Sequence, residues 1–311
     1  MKIVFFGSSE FSIPILEHLT KSHADVVLVV TTPERKKGRG LTPALSLVAQ
    51  KAKEIGLPVF APETLQDKKI DAQLRDAAAD YFVIASYGKI LPTPLLSIPK
   101  KFALNVHPSM LPKYRGASPI AAPLLEGQTK TGVSIALLTP RLDAGDLVIQ
   151  EAVPIQKSDD ALSLEEKLAK RGGELVIKSI ELIEAGKHTL MPQKETEASY
   201  AHKIQKEDGK IDWQQSAQHI RNQVKAYVKW PGAYAFLNGK RIKILKADSV
   251  ETKKQAQAPG CVTLISKKGY IEVSTGRGFL KIDQIQPESL RVMPPHAYAL
   301  GRKLNIGDVF K

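Results

Sequence analysis

The chain has 311 residues, 43% of them hydrophobic and 25% charged; this is room for two domains with ordinary cores and excludes a disordered chain. No apolar run approaches the ~20 residues of a membrane span. The amino terminus enters a strand pattern without a secretory cleavage site, and Cys261, the single cysteine, leaves no intrachain disulfide, so a cytoplasmic protein is expected.

Residues 3–6 form a short apolar run that predicts a buried strand, followed by Gly7 and a helical stretch through Leu19. A second run covers 26–31, a helix pattern covers about Leu45–Ile55, and Val59 and Phe60 read as a third, shorter strand. Residues 81–85 and 102–107 are two more buried runs. Strand and helix in alternation argue for a mainly parallel sheet covered on both faces, with ligands beyond the carboxyl ends of its strands. Residues 133–138 and 147–153 read as a hairpin around Asp143, Ala144 and Gly145, followed by a long helix over about Ser163–Ala185. The polar stretch 188–212 has no period and reads as a linker. A helix after Trp213 and five short β-like runs (233–237, 241–247, 261–266, 270–274 and 279–286) predict a small barrel or sandwich.

The net charge of +13 is uneven: residues 205–311 hold 19 Lys/Arg against 9 Asp/Glu, and residues 1–204 hold 26 against 23. A last third this basic attracts polyanions, nucleic acid first among them, although basic surface also serves solubility. Arg35, Lys36, Lys37 and Arg39, interleaved with glycine, combine charge with flexibility. On charge alone they fit a solvated loop as well as an RNA contact. Gly7, Ser8 and Ser9 lack the spacing of a dinucleotide fingerprint; a tight turn explains them, and the helix start behind them could hold an anion.

The segment Leu104–Pro119 is the richest in chemistry. Asn105 and His107 are two apart on a strand, so their side chains leave one face, and Pro108 ends the pairing. An amide beside an imidazole suits a carbonyl that must become an oxyanion. A lone His on a strand is more often structural, but here Ser109 and Arg115 stand nearby in a loop broken by Pro and Gly. Asp143 sits before Gly145, where a turn alone explains it; spacing does not bring it to His107.

The patterns Asn105-x-His107, Ser109–Pro112, Tyr114–Pro119 and Asp143–Asp146 resemble the formyltransferases that use 10-formyltetrahydrofolate. Phe6–Phe11, Thr31–Gly40, Ser199–Trp213 and Trp230–Tyr234 are similar to segments of the members that act on initiator methionyl-tRNA. The resemblance implies a Rossmann-like α/β catalytic domain over 1–204, with the linker from about 188, and a basic, OB-like β-barrel that binds tRNA over 205–311. It implies Asn105, His107 and Asp143 as catalytic residues. It implies Tyr87, Gly88, Ile90, Leu91 and Pro92, with Ser109, Met110, Leu111 and Pro112, around the folate, and Arg35, Lys36, Lys37 and Arg39 on the tRNA. A monomer without a metal is expected. Met110 replaces a usual Leu, a volume-conserving change; cations usual after Gly40 and around Leu290–Met293 are missing, which bears on tRNA contacts. A formyltransferase of a sugar-nucleotide amine would keep the three central residues but leave the basic tail unexplained. A non-catalytic RNA-binding protein would leave the three residues unexplained.

Overall fold

The computed structural model describes residues 1–37, 42–250, 257–302 and 304–311. It divides into one unit made of Met1–Pro119, Lys130–Pro154 and Leu164–Ala201, and a second made of Ile120–Thr129, Ile155–Ser163 and His202–Lys311.

The first unit begins with β1 (Lys2–Gly7), α1 (Ser12–Lys21) and β2 (Asp25–Val30). A two-stranded ribbon follows, β3 (Arg35–Lys37) antiparallel to β4 (Thr42–Ala44). Then come α2 (Leu47–Glu54), β5 (Val59–Phe60), α3 (Lys68–Asp76), β6 (Tyr81–Ala85), the short α4 (Thr93–Leu96), β7 (Phe102–His107) and β8 (Arg115–Gly116). After α5 (Ala121–Leu125), which falls in the second unit, the chain forms β9 (Lys130–Leu137), β10 (Leu147–Pro154), the long α6 (Ala161–Glu184) and β11 (Tyr200–Ala201).

Seven strands make one sheet in the order β10-β9-β7-β6-β1-β2-β5. β7, β6, β1, β2 and β5 run parallel, and β9 is antiparallel to both of its neighbours, β7 and β10. Ile3–Gly7 and Tyr81–Ala85 are buried throughout, as central strands covered on both faces must be. Phe6 packs on Phe82 and Tyr87 with ring centroids 5.1 and 5.5 Å apart; burying such a ring stabilises the fold by ~1.5–3 kcal/mol. The chain moves outward from β1 to β2 and β5, then returns to β6 on the other side of β1. That reversal opens a crevice at the carboxyl ends of β1 and β6. On the opposite face, Gly172 lets α6 lie against β7. A Cβ there would sit 2.8 Å from Val106 Cγ1, and Val106 faces away from its neighbours Asn105 and His107.

Stretch 188–201 is more ordered than a linker. Met191 and Leu147 exchange two backbone hydrogen bonds of 2.9 Å, and β11 pairs in parallel with β8. Its polar residues make single, specific contacts, and such contacts leave no period in a sequence.

The second unit adds α7 (Ala217–Ala226), β12 (Ala233–Leu237), β13 (Lys240–Val250), β14 (Val262–Ile265), β15 (Ile271–Ser274), β16 (Phe279–Pro287) and α8 (Pro295–Arg302). α7 starts at Ser216, whose hydroxyl accepts from His219 N–H, the N-cap role Ser favours. The five strands form an antiparallel sheet in the order β12-β13-β16-β15-β14. Its two edges are joined by residues 307–311. Lys311 exchanges backbone hydrogen bonds with Phe236 on β12, Val262 N–H donates to Asp308 O, and Phe310 N–H donates to Gly260 O. The sheet thus closes as a barrel, which resolves the barrel-or-sandwich alternative. Ile242, Ile244, Val262, Ile271, Leu280 and Ile282 fill it, and Phe310 packs on Trp213 at 5.6 Å. Among the described residues, no helix is long and apolar enough to cross a membrane.

Candidate active site

Asn105 and His107 close β7, and both meet one carboxylate. Asn105 Nδ2 donates to Asp143 Oδ1 at 3.0 Å, and His107 Nδ1 lies 3.6 Å from the same oxygen. Asp143 Oδ2 accepts the Gly116 N–H at 2.8 Å. The His107 and Asp143 side chains are 6% and 9% exposed, dry enough to strengthen their electrostatic coupling. His107 Nε2 is 3.0 Å from Tyr114 O. A carbonyl only accepts, so Nε2 carries the hydrogen and Nδ1 is the ring atom facing Asp143.

The β9–β10 hairpin supplies Asp143. Asn105 pairs across the sheet with Ala136, and Ala136 with Leu147, which sets the turn between the two strands beside β7. Asp143 has φ +50°, a conformation uncommon outside glycine and kept where surrounding groups hold it. At Gly145 a Cβ would lie 1.8 Å from Leu137 O, so only glycine permits the turn to fold this tightly.

The loop after β7 is rigid. Ser109 is fully buried, and its hydroxyl donates to Lys113 O at 2.6 Å. Ser134 Oγ donates to Ser109 O and accepts from Leu111 N–H, while Gln150 Nε2 donates to Leu111 O and to Ser134 Oγ. Leu111 packs with Ala136 and Leu147. Met110 and Pro112 are half-buried, Met110 with its Sδ against Gly132 of β9, while Ser109 and Leu111 are inside. The loop after β6 shows the same division: Tyr87 and Leu91 are core, Gly88 and Ile90 are exposed, and Pro92 is half-buried. Burial pushes the Tyr87 phenol up to about 12. Ser8 Oγ donates to Ser86 O and Tyr87 O, and Lys89 Nζ to Pro62 O and Glu63 O, which pins the first half of the loop. A cavity at the sheet's reversal point is lined by Ser8, Thr32, Pro33, Ser46, Tyr87 and Gly88.

Arg115 points into the protein. It is fully buried; its guanidinium donates to Gln193 Oε1 at 3.1 and 2.8 Å and to both Glu195 carboxylate oxygens at 2.9 and 3.1 Å. Glu195, joined also by Arg141, is held below the ordinary carboxylate range by Arg115 first. Gln193 and Glu195 come from the stretch read as a linker, and no sequence signal marks them. Arg35, Lys36 and Lys37 form one strand of the ribbon; Arg39 lies outside the described residues.

The family model described as formyl transferase matches residues 1–180, and the one described as formyl transferase, C-terminal domain, matches residues 203–303. A curated methionyl-tRNA formyltransferase of Thermodesulfovibrio yellowstonii is 39% identical over 305 residues, covering 98% of this chain and 97% of that protein. Among solved structures, the N-formyltransferase from Helicobacter canadensis in complex with folinic acid and dTDP-3-aminofucose has the same fold, with a TM-score of 0.66 at 21% identity over 91% of this chain and 98% of that one. HypX from Aquifex aeolicus in complex with tetrahydrofolic acid has a TM-score of 0.66 at 19% identity over 97% of this chain, which spans 47% of HypX.

Proposed function

The chain belongs to the formyl transferase family, and from that premise we propose that it transfers the formyl group of 10-formyltetrahydrofolate to the free amino group of initiator methionyl-tRNA, giving N-formylmethionyl-tRNA for translation initiation. The observation that carries the choice of acceptor is similarity along 98% of the chain to a methionyl-tRNA formyltransferase. The chemistry is supported by the amide and imidazole that share Asp143 at a strand's carboxyl end.

The methionine amine attacks the formyl carbon, and the carbonyl oxygen takes up negative charge. Asn105 has a second amide hydrogen for that oxygen, and the His107 ring stands beside it. As the bond from carbon to N10 breaks, the amine loses one proton and N10 gains one. Asp143, beside Asn105 and His107, relays that proton, directly or through one water. No covalent enzyme intermediate is required.

The folate is bound by the loops 87–92 and 109–112: Gly88, Ile90, Pro92, Met110 and Pro112 touch it, while Tyr87, Leu91, Ser109 and Leu111 hold the loops in shape. Arg35, Lys36, Lys37 and Arg39 engage the tRNA acceptor end, and the basic residues of 205–311 contact tRNA phosphates. The enzyme works as a cytoplasmic monomer. The test supplies labelled 10-formyltetrahydrofolate with methionyl-tRNA, with a sugar-nucleotide amine, or with no acceptor. Label in methionyl-tRNA is expected; label in the sugar nucleotide alone, or in neither acceptor, overturns the proposal.

A further inference from the structure

The turn that carries Asp143 is gripped by a residue 50 positions away. Gln193 Nε2 donates to two carbonyls of that turn, Asp143 O at 2.8 Å and Gly145 O at 2.7 Å. Its Oε1 accepts from Arg115 Nε and Nη2. Arg115 is fixed in turn by both oxygens of Glu195, and the adjacent Gly116 N–H donates to Asp143 Oδ2. Backbone and carboxylate of Asp143 are therefore held by one connected chain of hydrogen bonds. A carboxamide suits the position, because it offers hydrogens to two carbonyls and an oxygen to a guanidinium. A carboxylate would serve Arg115 but face the carbonyls with no hydrogen.

We propose that Gln193 is a positioning residue for formyl transfer: with Arg115 and Glu195 behind it, it fixes the turn so that Asp143 Oδ1 stays on Asn105 and His107. The proposal rests on the reading of those three residues as the reaction centre. Misplacing a reacting group by an ångström can cost a rate factor of about 10². Gln193→Glu separates the two halves of the role, since it keeps an acceptor for Arg115 and removes both donors to the turn. The expected result is a kcat lowered about 10²-fold, with KM for formyl donor and methionyl-tRNA within about twofold. The His107 ring resonances of histidine-labelled protein should shift. Glu195→Gln, at a half-exposed site, probes the same chain from its outer end should Gln193→Glu fail to fold; it should lower kcat by a smaller factor with KM unchanged. Wild-type kcat and unmoved His107 resonances in these variants overturn the proposal. So does a Gln193→Glu effect that multiplies with Asp143→Ala, because a residue acting through Asp143 adds nothing once Asp143 is gone. Full turnover in Asp143→Ala with the His107 shift intact in Gln193→Glu defeats the reading of the reaction centre and leaves the positioning geometry supported.

Discussion

Asn105 offers two amide hydrogens, and one is taken by Asp143 Oδ1 at 3.0 Å. The other defines what the residue can add to a transition state. Asn105→Ala should therefore lower kcat by about 10²–10³, the usual cost of one oxyanion donor, with near-normal substrate KM; an unchanged kcat in steady-state formylation would remove Asn105 from the chemistry. At the opposite end of the sheet, Asp80 shows how a single carboxylate links folding to pH. Its carboxyl is held below its ordinary 3.8 by the Lys2 N–H first, with Lys100 adding to the effect and burial opposing it. A folded pKa below the unfolded one contributes stability that is complete above the unfolded value and is lost as pH falls through the folded one. Asp80→Asn should cost about 1–2 kcal/mol at pH 7, and the gap to wild type should narrow toward pH 3 in urea titrations. A gap of equal size at both pH values would refute the linkage.

The β9–β10 hairpin is the element on which the site depends most, because its turn brings Asp143 to β7. Gly145→Ala would push a Cβ into Leu137 O. The turn must open, which should destabilise the fold by about 1–3 kcal/mol and lower kcat together with the melting temperature; a lower melting temperature with full kcat would show that the turn does not set Asp143. At this scale the sequence is uneven as a guide. Strands β1, β2 and β6 are legible because burial in the sheet demands runs of Val, Ile, Leu and Phe. Asn105 and His107 are legible as a pair because strand geometry alone puts residues two apart on one face. Asp143 is visible only as a turn residue, since its approach depends on a cross-strand register that one strand does not encode. Gln193 and Glu195 are invisible: each acts through side-chain hydrogen bonds to residues distant in the chain, and such contacts impose no period. Arg115, which in sequence only stands near His107, is buried with its charge neutralised by Glu195, a pairing that spacing does not reveal.

The whole molecule is a near-neutral first two-thirds joined to a basic last third, +3 over residues 1–204 and +10 over 205–311. If those cations meet tRNA phosphates, log K for tRNA should fall linearly with log salt at a slope steeper than about −3, while KM for the small formyl donor changes little. A flat salt response in filter-binding titrations would separate the basic third from tRNA. The closure of the barrel by residues 307–311 also fixes an order of events during synthesis. The segment that joins β12 to β14 follows every barrel strand in the chain, so those two edges wait unpaired until it has been made. The first unit has all its strands by Ala201 and can form while the second is still being made. A ribosome stalled shortly before residue 307 should therefore display a protease-resistant formyl transferase core beside a protease-sensitive basic third.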